Sequence, residues 1–251
     1  MISLGRNTRW FNKFIDEVEF CKNNGFDFLQ VWYDSKGFSL EKDPYPLDTI
    51  KSVGFPSIIH ALLDINEIVD LAPQLLDILL YLEHNEIIIH PVCKSEEINK
   101  ESIKKLTEKM SYMTEFFVPE RITVYLENNS RLDPIFHSCS EIEYVFSKIP
   151  ALEFLIDIAH IDSYDHLRHM VKIKMPKVLH ISDRQLEKVH EHLPLGDGNI
   201  DFKYIFDDIL KDFEGKAIFE IPESDKIILK SKRIFKSILN RRMQEPCGSG
   251  F

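Results

Sequence analysis

Short continuous apolar runs alternate along this chain with amphipathic stretches, about eight times over. The runs cover residues 1–4, 26–32, 55–63, 86–92, 121–128, 152–160, 177–182 and 216–221. Their continuity, rather than an in-out alternation, is what strands buried on both faces of a parallel sheet require. Residues 11–24, 47–53, 66–83, 95–117, 140–148, 163–171, 199–213 and 224–242 carry helical spacing between and after them. Asn24-Gly25 reads as a C-cap, Ser95 as an N-cap, Pro73 as a kink, and Asn199 or Asp201 as a cap of the penultimate helix. This order predicts a single α/β (β/α)8 TIM barrel over residues 1–245, with residues 246–251 as a disordered tail. An open doubly wound sheet is the alternative, but no Gly-rich fingerprint follows the first run.

At 251 residues, one barrel accommodates the whole chain. A formal charge of −10 argues against a general polyanion binder without excluding a local basic patch. Arg6, Asn7 and Arg9 interrupt any apolar N-terminal run, and no stretch is long enough to span a bilayer. Cys21, Cys93, Cys139 and Cys247 form no CxxC pair and read as reduced thiols. The expectation is a cytoplasmic protein without a membrane partner; its oligomeric state is not legible.

In a barrel of this kind the C-terminal strand ends converge on one mouth. His60, His90, Glu127, Asp157, His180 and Glu220 fall at six successive strand ends. His160 follows the sixth strand, and the loop after the seventh holds His190 and His192. Singly, each has a bland explanation: a core histidine bonded to backbone, a salt-bridge carboxylate, a helix cap. Together, two Glu and one Asp without matching Lys and Arg call for a cation. Glu127, Asp157, His180 and Glu220 make one compact metal site. His60, His90, His160, His190 and His192 either complete further sites or bind substrate. Mixed carboxylate and imidazole ligands suit a divalent transition metal such as Zn2+ or Mn2+, one to three ions. Gly196, Gly198 and Asn199 are a candidate phosphate site, since TIM barrels often bind phosphate beyond strands seven and eight. His84, His137, His166 and His169 read as surface or packing residues.

The segments IIIHPV, YLEN, LIDIAH, LHISD and HEHLPLGDGNIDF resemble the xylose isomerase-like TIM barrels, which include sugar isomerases and epimerases and endonuclease IV. The resemblance spans essentially the whole chain. It implies, for a single-metal epimerase, that Glu127, Asp157, His180 and Glu220 hold the ion. Glu127 and Glu220 would exchange protons with the substrate carbon, and His160 would bond the sugar. For an endonuclease IV-like enzyme it implies three zinc ions held by the same residues with His60, His90, His160, His190 and His192. That enzyme has Asp where this chain has His190, and its Gly-rich first turn is absent here.

Isomerisation or epimerisation of a sugar or sugar phosphate is the favoured expectation, with a metal-dependent dehydratase close to it. The alternative is phosphoester hydrolysis, as at abasic DNA. There Arg6, Arg9, Lys36, Arg131 and Arg184 would contact phosphates, and Trp10, Tyr33 and Phe38 would stack on bases. A barrel that binds a metabolite without turning it over is a third reading, disfavoured by retention of both proton-transfer carboxylates.

Overall fold

The computed structural model describes residues 2–94 and 96–244, so the expected tail and the Ser95 cap lie outside the described residues. Strands β1 (Ser3–Asn7), β2 (Phe28–Asp34), β4 (Ser57–Asp64), β5 (Glu86–Val92), β6 (Thr123–Glu127), β7 (Glu153–Asp157), β8 (Val178–Ile181) and β9 (Lys216–Phe219) are all parallel. β1 pairs with both β2 and β9, which closes the sheet into a barrel. A short strand β3 (Gly37–Phe38) folds back antiparallel on the end of β2. The expected barrel is the one observed. Among the described residues no helix is long and apolar enough to cross a membrane.

Helices α1 (Phe14–Asn24), α2 (Pro46–Val53), α3 (Ile68–Leu82), α4 (Lys100–Phe117), α5 (Cys139–Lys148), α6 (Tyr164–Ile173), α7 (Phe202–Tyr204) and α8 (Asp225–Gln244) follow the strands in turn. Gly25 ends α1 in the left-handed region (φ 63°), as a C-cap should. α4 begins later than expected because Asn99 and Ser102 form a reciprocal capping box at Lys100. The helix expected over 199–213 is only α7, capped by the Asp201 side chain and continued by a π turn, Ile205–Ile209.

The barrel interior explains where the site lies. Phe28, Ile58, Ile88, Tyr125, Leu155, Val178 and Ile218, one from each of seven strands, pack as a separate apolar plug. Gly5 supplies the eighth position, and a Cβ there would lie 2.4 Å from the Phe28 ring. Side chains on a strand repeat their direction every second residue. Two residues beyond the plug, the inward positions are therefore Asn7, Gln30, His60, His90, Glu127, Asp157, His180 and Glu220. An apolar floor thus carries a layer made entirely of polar groups.

Lys232 of α8 is buried and donates to the carbonyls of Asn24 (2.6 Å) and Gly25, with its ammonium 3.9 Å from the centre of the Phe26 ring. It satisfies carbonyls that the end of α1 leaves open. Lys232→Met is expected to cost about 1–3 kcal/mol in urea unfolding at pH 7. Burial, with Lys236 nearby, pushes the Lys232 ammonium down to about 8. The folded chain then holds fewer protons than the unfolded one above that value, so Lys232 favours folding progressively more as pH rises from about 8 to 10. The deficit of the Met variant should therefore be larger at pH 9.5 than at pH 7; an equal or smaller deficit would refute the assignment.

Candidate metal centre

Glu127 ends β6, Asp157 ends β7, His180 lies in β8 and Glu220 follows β9. All four are buried, and each offers a ligand atom within 4.8 Å of the others. His180 Nδ1 lies 3.1 Å from Glu127 Oε1, 3.1 Å from Glu220 Oε2 and 3.7 Å from Asp157 Oδ2. One oxygen of Asp157 accepts from the Ala159 amide at 2.7 Å, and the other, Oδ2, has no hydrogen-bond partner.

The remaining histidines gather on the same layer. His60 Nε2 is 2.7 Å from Glu127 Oε2, and His90 Nδ1 is 3.1 Å from the same oxygen. His160 Nδ1 donates to the Asn128 carbonyl (2.9 Å), which leaves Nε2 bare, unpartnered and 3.5 Å from Asp157 Oδ2. His160, His190 and His192 form a second group of close ligand atoms. Ser130 and Ser182 hydroxyls meet Nδ1 of His190 (3.3 Å) and of His192 (3.0 Å).

The electrostatics ask for positive charge. Burial alone would raise Glu127 and Glu220, yet His90, His180 and His60 hold Glu127 well below the carboxylate range, and His180 does the same for Glu220. Burial alone would lower His180, but Glu220 and Glu127 drive it well above the usual imidazole range. A proton on His180 and a cation among the carboxylates answer the same demand. The Asp157 Oδ2 left without a hydrogen bond, with three carboxylates whose ion-pair partners here are all histidines, fits a divalent cation.

A further group, His137, Asp162 and His166, also brings ligand atoms within 4.8 Å. Its ring nitrogens and carboxylate oxygens all have partners within the chain, with His137 Nδ1 at the Asn129 carbonyl (2.8 Å) and Nε2 at Asp162 Oδ2 (3.1 Å). His166 Nδ1 accepts from the Asp162 amide and Nε2 donates to the His137 carbonyl, both at 3.1 Å, and Arg131 pairs with Asp162 at 2.7 Å. It braces the loops after β6 and β7.

A cavity of about 770 Å³ opens over the layer, lined by Trp10, Trp32, Phe38, His90, His160 and Glu220 among others. Among the described residues, Lys36 is the only lysine or arginine in its wall. Of the other four expected phosphate contacts, Arg131 is exposed and paired with Asp162, and the remaining three are spent inside the chain. Arg6 and Arg9 pair with buried Glu17 (2.6 and 2.7 Å), and Arg184 bonds the carbonyls of Val189 (2.9 Å) and Ile161 (2.5 Å). Tyr33 is a core residue packed edge-on against Phe38 rather than a stacking platform. In the loop after β8, Gly196 N donates to Asp183 Oδ2 and Asn199 N to the Arg184 carbonyl, so these two amides are already engaged. Gly198 is needed for close approach: a Cβ there would meet Asp183 Oδ1 at 2.3 Å. Cys21, Cys93 and Cys139 are free thiols.

A family model described as xylose isomerase-like TIM barrel matches residues 57–238. The chain belongs to that family. Solved structures share the barrel at low identity. A D-tagatose 3-epimerase-like protein aligns with a TM-score of 0.78 at 16% identity, covering 97% of this chain and 99% of its own. The IolI protein with a bound zinc atom gives 0.76 at 14%, covering 97% and 100%. Endonuclease IV from Thermus thermophilus gives 0.70 at 18%, covering 95% and 99%. At these identities the likeness is one of fold. No curated protein matches the sequence.

Asn7, Gln30, Trp32, Asn128 and Asn129 belong to the site and escaped the sequence reading. For the first two the signal was present: each stands two residues beyond an inward position of the floor.

Proposed function

We propose that this xylose isomerase-like barrel is a metal-dependent isomerase or epimerase acting on a sugar. The observation that carries this reading is a four-residue buried donor set containing two glutamates, beneath a cavity roomy enough for a sugar whose wall, among the described residues, holds one lysine and no arginine. A divalent cation held by Glu127, Asp157, His180 and Glu220 supplies Lewis-acid stabilisation of negative charge developing on substrate oxygens. Glu220, which faces the cavity, takes the proton from the carbon beside the carbonyl. Glu127 delivers a proton to the opposite face for epimerisation, and the same pair serves an aldose–ketose shift. His160 Nε2, bare and unpartnered, accepts a hydrogen bond from a substrate hydroxyl. Trp10, Trp32 and Phe38 cover the apolar face of the sugar and keep bulk water away.

The endonuclease-like alternative has the clustered histidines in its favour, but the internal pairing of Arg6, Arg9 and Arg184 takes away three of its five expected phosphate contacts and leaves Lys36 and Arg131. The test is incubation of zinc- or manganese-reconstituted protein with a panel of aldoses and ketoses in D2O. Deuterium should enter at the carbon that changes configuration. Cleavage of abasic DNA or simple phosphodiesters, with no exchange into any sugar, would replace this reading with the hydrolase.

A further inference from the structure

We infer that Gln30 is a positioning residue that gives two buried imidazoles opposite roles: His180 presents a bare nitrogen to the ion, while His60 is fixed as a hydrogen-bond donor to Glu127 and is not a ligand. This rests on the metal centre proposed above.

The assignment starts at Glu220, whose carboxylate can only accept. Asn7 Nδ2 lies 3.1 Å from Glu220 Oε1 and must donate to it, so the other end of the Asn7 amide, Oδ1, is an acceptor. Gln30 Nε2 sits against Asn7 Oδ1 and donates, which turns Gln30 Oε1 toward His180 Nε2 at 2.8 Å. His180 therefore keeps a proton on Nε2, and Nδ1, among the three carboxylates, is the nitrogen left to be bared for an ion. The second hydrogen of Gln30 Nε2 faces His60 Nδ1 at 3.3 Å, making that nitrogen an acceptor. His60 then carries its proton on Nε2, 2.7 Å from Glu127 Oε2. Gln30 is fully buried and every polar atom of its amide is used.

A histidine ligand needs a bare ring nitrogen directed at the metal, and the hydrogen bond made by the other nitrogen decides which one that is. For His60 to hold an ion through Nε2, its proton would have to move to Nδ1, where it would meet a Gln30 N–H, donor against donor. Turning the Gln30 amide over to relieve that clash would place N–H against His180 Nε2–H and against Asn7 Oδ1 a carbonyl. The amide thus couples the two rings. A glutamate at position 30 would reverse the outcome for His60, because its two oxygens accept from both rings and leave both inward nitrogens bare, at the cost of the contact to Asn7 Oδ1, where oxygen would face oxygen.

The first experiment uses the zinc-loaded wild-type chain labelled with 15N-histidine, read by long-range 1H–15N correlation. His180 should show a metal-shifted Nδ1 and a protonated Nε2, and His60 a neutral ring protonated on Nε2 with no metal-shifted nitrogen. A metal-shifted nitrogen on His60, in a chain that does bind zinc, overturns this inference and leaves the metal centre standing; failure to bind zinc at all overturns both. Zinc titration of variants gives the second reading. Gln30→Leu should weaken binding about 10- to 100-fold. Gln30→Glu should bind zinc more tightly than Gln30→Leu and raise the zinc content from about one to about two per chain; unchanged content and affinity in both variants would refute the role of Gln30.

Discussion

Glu220→Gln is expected to abolish turnover, lowering kcat by about 100- to 10,000-fold, the usual contribution of a positioned acid–base group. The substitution keeps the shape of the side chain, and its remaining oxygen still accepts from Asn7 Nδ2. The barrel should fold, with unchanged far-ultraviolet dichroism. What is lost is the carboxylate that takes the proton, and one charged oxygen facing His180 Nδ1 at 3.1 Å. Measurements belong at saturating metal, so that weakened ion binding is separated from lost chemistry. Deuterium exchange at the substrate carbon should fall in parallel with turnover. A variant that exchanges and turns over at the wild-type rate would remove Glu220 from the mechanism.

Zinc loading should have the largest effect on stability. Without a cation, three buried carboxylates have only imidazoles as charged partners, and Asp157 Oδ2 lacks a hydrogen-bond partner. An ion that binds the folded chain alone contributes about 4 kcal/mol when free zinc exceeds Kd about a thousandfold. For a chain of this length that corresponds to a rise in Tm of about 8–16 °C. The shift should reverse with a chelator and largely disappear in His180→Ala, which removes the nitrogen that three carboxylates share. A Tm indifferent to zinc would contradict the reading of this cluster as a metal site.

The barrel was legible because its strands are buried on both sides: runs such as residues 86–92 and 152–160 have no polar face to confuse them with amphipathic helices. The same property hid which residues point inward. Once the floor of Phe28, Ile58, Ile88, Tyr125, Leu155, Val178 and Ile218 is known, a step of two residues gives the polar layer, Gln30 and Asn7 included. Carboxamides are silent in a reading built on charge and ligand chemistry, although here they fix which ring nitrogens are bare. Pairing across the fold was equally hidden. Arg6 and Arg9 looked like mouth cations, but Glu17, one turn into α1, claims both. The 199–213 pattern is helical in its apolar spacing, whereas the chain is tied down by Asp183 and Arg184 up to Ile200 and turns regularly only from Phe202.

The most direct test is the transition-metal content of the chain purified without added chelator and then reconstituted with zinc or manganese. About one ion per chain is expected, with loss of binding in His180→Ala. Two or three zinc ions per chain would favour the phosphoesterase, and no ion after reconstitution would contradict the metal-dependent mechanism.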